Sequence, residues 1–351
     1  MNLSSYTLAL LEDIERRIDP EIEEEYFAQW VNFWDGKCDT KVFVPSRKKV
    51  SPPQIELKNI HINDALQDMD LMLAYELTAL SKKLASHSPA LGIRANYGTG
   101  IMTSLFGAPL FEMPRSMNTL PTTKCLESSE AVARQMEKGI PNLRCGLGGK
   151  VLDFGSLCAE TFVKYPKIQK YVSVYHPDAQ GTLDIAELLW GQEMFYEMYD
   201  NPDFVHQVLR CITDSYKAFM DAWYDIIPKR GDYAVHWSIW HKGTILLRLD
   251  SAMNLSRDFY EEFSKPYDTE LLNYYDGGCM HFCGRGDHYI DSMCEIDRLY
   301  GFNMSQPHLN NMAKILDVAE RTNIRILDLP DAVKYSTEFN VKKGLLHAGL
   351  Q

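Results

Sequence analysis

The sequence predicts an α/β protein: a (β/α)8 TIM barrel preceded by a helical N-terminal extension. Two observations carry this prediction. From residue 91 onward, short apolar stretches alternate with segments of helical period, the pattern of parallel strands joined by crossover helices. The number of units suits a closed barrel better than an open sheet. Several of the expected strands also end in polar residues, and in a barrel the C-terminal strand ends face the active site. Nucleotide-binding α/β folds lose support, because no G-x-G-x-x-G follows a first strand and no P-loop occurs.

The first elements are helices. Leu3–Ile18 and Glu21–Trp34 have helical spacing, and the opening stretch turns acidic within a dozen residues. It lacks the basic n-region of a signal peptide. Residues 35–56 are polar and basic and contain Pro45, Pro52 and Pro53. They divide a helical extension and linker, 1–56, from the barrel, 57–351, within one structural domain overall. His61–Leu84 repeats Ile62, Ala65, Leu66, Met69, Leu73 and Leu77 at helical spacing.

The alternation then begins. LGIRANYG (91–98) and YVSVYHPDAQG (171–181) are strand-like, and IAELLWGQEMFYEMY is a helix. Asn201 and Pro202 suit the N-cap and first position of the helix DFVHQVLRCITDSYKAFMDAWYDII. YAVHWSIW (233–240) is strand-like, and Ser256 can cap RDFYEEFSKPYDTELLNYY. CMHFC, RLYGFNMS and IRILDLP are further strands, with helices near His288–Ile296 and over Leu309–Arg321. GLLHAGL closes the chain. Polar strand ends fall at Asn96-Tyr97-Gly98, His176 to Gly181, His236-Trp237, His281 to Gly284 and Ser305-Gln306-Pro307.

The 351 residues are 45% hydrophobic and 24% charged, with a net charge of −12. That charge repels phosphate backbones and anionic lipid, so neither nucleic acid nor membrane is expected as a partner. The eight scattered cysteines read as reduced thiols of a cytoplasmic protein.

MHFCGRGDHYID (280–291) is the densest chemical stretch. Strand residues i and i+2 share a face, so His281 and Cys283 project together. An imidazole and a thiolate on one face are natural zinc ligands, although a catalytic zinc normally takes three. The alternative is a buried cysteine beside a satisfied histidine. His347 in the last strand-like segment is one candidate third ligand; His236, His241, His288 and Cys294 are others.

CMHFCG followed by a helix and NMSQP resembles the uroporphyrinogen decarboxylase superfamily, in particular its corrinoid branch, the methylcobamide:coenzyme M methyltransferases. YHPDAQGTLDIAELLWG, NPDFVHQVLRCITD, LDSAMNLSRDFYEEFSKPYDTELL and NYGTGIMTSLFG extend the resemblance over residues 60–330. It implies the barrel, and zinc held by a His, a Cys and a later Cys. It also implies a thiol made nucleophilic by the metal, which takes a methyl group from a corrinoid. His281 and Cys283 match the first two ligands, but no cysteine follows Cys294. The arginine-rich signature of the decarboxylase branch, which grips tetrapyrrole carboxylates, is absent.

The expected function is therefore a zinc-dependent methyltransferase moving a methyl group between a protein-bound corrinoid and a small thiol or related acceptor. Its metal ligands would be His281, Cys283 and His347. Asp178, Gln180 and Tyr97 would be catalytic, and Asn96, His176, Trp237, Arg285 and Gln306 would bind substrate. Four of them have a plainer reading: Asp178 as a stabiliser of the turn after Pro177, His176 as a partner of a loop carbonyl, and Tyr97 and Trp237 as core aromatics. Asp250 stands either behind the ligands or paired with Arg248. The partners would be a corrinoid protein and the acceptor, with a homodimer left open. The alternatives are a metal-free decarboxylase or lyase of a small carboxylate, with Arg94 and Arg285 at its mouth, and a non-catalytic partner of a corrinoid protein.

Overall fold

A computed structural model describes residues 2–87 and 89–349. The fold is mixed α/β, built on a central parallel sheet of six strands. In chain order the parallel strands are β1 (Val42–Phe43), β2 (Gly92–Ile93), β3 (Ser173–Val174), β4 (Ile245–Arg248), β5 (Gly278–Phe282), β6 (Leu299–Met304), β7 (Arg325–Leu327) and β8 (Leu346–His347). The sheet runs β1-β8-β7-β6-β5-β4, and β2 and β3 form a separate parallel pair.

β3 reaches the sheet edge through a side chain. His176 Nε2 accepts a hydrogen bond from Leu246 N of β4 at 3.0 Å. Just beyond, Gly181 packs so closely on β4 that a Cβ there would lie 2.1 Å from the Arg248 carbonyl oxygen, which only glycine allows.

The expected N-terminal helices form at Ser5–Arg17 and Pro20–Trp34. Ser4 caps the first and Asp19 the second, with Pro20 in the first turn. Leu10, Leu11 and Ile14 are fully buried in the main core. The second helix lays Tyr26, Trp30, Phe33 and Trp34 against Phe43, Leu246, Cys279 and Leu327 of the sheet. The stretch read as linker supplies β1, whose Val42 and Phe43 pair with Leu346 and His347.

Several elements differ from expectation. RDFYEEFSKPYDTELLNYY divides at Ser264 into Arg257–Phe263 and Lys265–Tyr274. YAVHWSIW is a hairpin, not one strand: Tyr233–His236 turns back onto Ile239–Lys242. Its two turn residues, Trp237 and Ser238, have φ of 46° and 70°. That is the handedness a two-residue hairpin turn needs, here without the Asn or Gly that usually marks it. The strand that joins the six-stranded sheet, at its edge, is the following ILLR. The helix IAELLWGQEMFYEMY breaks at Gly191, φ 76°, into Thr182–Trp190 and Glu193–Asp200. The final segment GLLHAGL runs on to Leu350, which lies outside the described residues.

Candidate metal centre

β5 carries His281 near its end and Cys283 just past it, both on one face as the two-residue period requires. β4 lies beside β5, with Arg248 level with His281. Two residues beyond Arg248, Asp250 therefore comes level with Cys283. Asp250 Oδ1 accepts the Cys283 backbone N–H at 2.9 Å and lies 3.4 Å from His281 Nε2. His281 Nε2 is also 3.4 Å from Cys283 Sγ. Asp250, His281 and Cys283 thus each offer a ligand atom, all within 4.8 Å of one another. Around a tetrahedral zinc, bonds of roughly 2.0 Å to N and O and 2.3 Å to S set N···O and N···S near 3.3 and 3.5 Å. The two separations in the structure, both 3.4 Å, match.

The imidazole is also held in the tautomer a metal needs. β6 is in register with β5, Asn303 opposite His281. Asn303 Nδ2 donates to Leu327 O at 2.8 Å, so its Oδ1 is the end that faces His281. His281 Nδ1–H donates to that oxygen at 2.5 Å, leaving the Nε2 lone pair toward Cys283 and Asp250. Burial depresses the His281 pKa against the pull of Asp250, which keeps the ring neutral. Burial raises the Cys283 thiol; a cation at the site would reverse that. Sγ lies 3.4 Å from Ser305 Oγ.

A cleft of about 350 Å³ opens nearby, lined among others by Arg94, Asn96, Asp178, Trp237 and Arg248. Asp178 Oδ2 accepts from Arg248 Nη2 at 2.9 Å and Arg94 Nη1 at 3.3 Å. Its Oδ1 accepts from Gln180 Nε2 at 3.1 Å. The Trp237 ring joins cleft and metal site: Arg248 stacks over it at 4.6 Å, and the His281 ring meets its edge at 4.9 Å.

Several expected site residues lie elsewhere. His347 is not the third ligand. β7 and β6 stand between β8 and β5, three interstrand steps of about 4.8 Å. Its ring packs against Trp30 at 4.6 Å, and its Nδ1 accepts from Asp328 N at 2.9 Å. Tyr97 is 2% exposed within the apolar core and is not among the residues lining the cleft. His176 has both nitrogens occupied, Nδ1 at Pro177 O (2.8 Å) and Nε2 at β4, so it is structural. Arg285 projects outward, 62% exposed, and pairs with Asp287 at 2.7 Å. Gln306 Oε1 accepts from Gly284 N at 2.6 Å and shapes the turn after Cys283. His236, His241, His288 and Cys294 are not in the metal-ligand group.

Sequence reading did not assign Asp250 as a ligand, nor Arg248, Asn303 and Asp184 as parts of the site. Asp184, fully buried, accepts the backbone N–H groups of Asp250 at 3.0 Å and Ser251 at 2.8 Å. The R-x-D spacing at a strand end is the same-face signal already present in H-x-C; the partners of Asn303 and Asp184 leave no local signal. No family model and no curated protein matches the chain.

Proposed function

We propose that this chain is a zinc-dependent methyltransferase that moves a methyl group between a corrinoid, carried by a partner protein, and a small thiol acceptor. The observation that supports metal chemistry is the Asp250–His281–Cys283 group with its tautomer set by Asn303. The reaction class rests on the resemblance of CMHFCG and its flanking segments. In this reading Asp250 takes the place of the late cysteine. Bound zinc would supply a Lewis acid that favours the thiolate form of an acceptor at neutral pH.

The chain's own residues do the rest. Asn303 keeps His281 Nε2 unprotonated, and Asp184 holds the backbone of Asp250 and Ser251. Trp237 packs against the His281 ring in a T-shaped contact and helps hold its orientation. Asp178 fixes the two cleft guanidinium groups. We further propose that β1 to β8 are the eight strands of a (β/α)8 barrel, with His176 bridging β3 to β4.

Arg94 and Arg248 beside the cleft favour a second reading, a metal-free decarboxylase or lyase of a small carboxylate. Elemental analysis of the wild type beside Asp250→Ala, His281→Ala and Cys283→Ala separates the two. We expect about one zinc per wild-type chain, as a single catalytic site takes, lost in all three variants. Methyl transfer from methylcobalamin to a thiol, followed by loss of the cobalt–carbon absorbance, should then depend on zinc. A wild type that takes up no zinc when offered it would end the first reading and leave the second.

A further inference from the structure

The two oxygens of Asp250 have different neighbours. Oδ1 belongs to the metal side: it accepts the Cys283 N–H at 2.9 Å and lies 3.4 Å from His281 Nε2. Oδ2 faces a cation, with Arg248 Nη1 3.5 Å away. That guanidinium is itself anchored. Its Nη2 donates to Asp178 Oδ2 at 2.9 Å, it lies over the Trp237 ring at 4.6 Å, and its side chain is 19% exposed. Arg94 is the other cation at Asp178, 3.3 Å from the same oxygen, and its backbone N–H donates to Glu76 Oε2 at 3.1 Å. Arg248 therefore stands between two carboxylates, with one terminal nitrogen toward each. A planar fork suits that placement, and the point charge of a lysine does not reproduce it.

A carboxylate can bind a metal through one oxygen or through both. Zinc held by His281, Cys283 and a single Asp250 oxygen keeps one of four positions open, as a catalytic zinc needs. If Oδ2 turned to the metal as well, it would fill that position. Charge acts in the same direction. A dication, one thiolate and one carboxylate sum to zero, so an incoming thiolate brings a net negative charge, and Arg248 is beside it.

We infer that Arg248 is a positioning residue that restricts Asp250 to ligation through Oδ1 and so keeps the remaining metal position open to a thiol. This role rests on the metal reading above and adds to it the group that guards the open position.

The test uses cobalt(II) in place of zinc, because four-coordinate cobalt absorbs visible light more strongly than five- or six-coordinate cobalt. Wild type, Arg248→Gln, Arg248→Lys and Arg94→Gln are loaded with cobalt and titrated with 2-mercaptoethanol. In Arg248→Gln the visible band should weaken and cobalt affinity should be kept or rise. Affinity for 2-mercaptoethanol should fall at least about tenfold, the scale of a lost charge-assisted contact. Arg248→Lys, with the charge but not the fork, should lose part of both signals. Arg94→Gln removes a cation from Asp178 and should match the wild type. Melting curves identify the folded variants. A wild-type band and wild-type thiol affinity in Arg248→Gln, or in Arg248→Lys if the first does not fold, would overturn the role and leave the metal centre standing. Cobalt and thiol affinity lost in parallel would make Arg248 a structural residue only, and an equal loss in Arg94→Gln would assign the effect to the general charge of the cleft; either overturns the role. A wild type that takes up neither cobalt nor zinc overturns both the role and the metal reading. A wild type that binds cobalt and thiol as expected, but takes no methyl group from methylcobalamin, keeps the role and ends the methyltransferase reading.

Discussion

Replacing Asn303 by leucine tests whether the amide bonded to His281 Nδ1 prepares that ring for a metal. The side chain has similar volume, so the change removes the amide while leaving little void. In the wild type, Asn303 Oδ1 receives His281 Nδ1–H at 2.5 Å, and Nδ2 donates to Leu327 O at 2.8 Å. Without them, the imidazole can place its proton on Nε2, 3.4 Å from both Cys283 Sγ and Asp250 Oδ1. That tautomer hydrogen-bonds the two other ligands and cannot bind a cation through Nε2. Partners of this kind are typically worth about 10–100-fold in metal affinity, or roughly 1.4–2.8 kcal/mol. Leaving the buried Leu327 carbonyl unpaired should also cost folding stability of order 1–3 kcal/mol. Zinc affinity measured by competition with a chromogenic chelator reads the first effect, and urea denaturation of the metal-free protein reads the second. Asn303→Asp keeps an acceptor and should bind zinc at least as well as the wild type. Zinc affinity in Asn303→Leu within about twofold of the wild type, against the 10–100-fold expected, would refute the tautomer argument.

Three other outcomes follow from the same geometry. Asp184→Asn replaces one of two oxygens that receive the Asp250 and Ser251 N–H groups; cobalt affinity, read by thiolate-to-cobalt absorption, should fall about tenfold or more. His347 is buried and its pKa is pushed down to about 3. The unfolded chain therefore binds a proton near pH 6.5 that the folded chain refuses. Stability is fully present above that pH and is lost as pH falls toward about 3. His347→Phe should flatten this acid limb in urea midpoints measured from pH 7 to 4, and zinc binding should be unchanged; lost zinc would return His347 to the site. Asp268 is buried with Oδ1 unpaired, and burial raises its carboxyl to about 7. Its contribution falls as pH rises through that value, so Asp268→Asn should stabilise the protein at pH 8 by up to a few kcal/mol and do little at pH 4. Equal effects at both pH values would remove the charge argument.

The chemistry proposed here uses a short strand end as a precise support. β4, β5 and β6, with the residues just past their ends, each deliver two polar side chains to the same edge: Arg248 and Asp250, His281 and Cys283, Asn303 and Ser305. Hydrogen bonds between neighbouring strands keep these pairs level, so the ligand atoms are preorganised before any ion arrives. Among the described residues no helix is long and apolar enough to cross a membrane.

Local chemistry was enough to determine some of this from the sequence. The two-residue period of a strand puts His281 and Cys283 on one face wherever the strand sits. Ser256 caps its helix because its side-chain oxygen reaches the N–H group three residues on. The alternation of strand and helix implied parallel pairing, and the parallel sheet is there. Only the tertiary structure decided the third donor. Asp250 and Cys283 are 33 residues apart and meet because β4 and β5 are neighbours, whereas β6 and β7 separate His347 from them. Asn303 faces His281 through the β5–β6 register. Tyr97, at an expected strand end, turned into the core. The hairpin at Trp237-Ser238 left ILLR, not YAVHWSIW, as the strand beside the site. Strand order and register are long-range properties, set by which faces bury together, and residue periodicity carries no record of them.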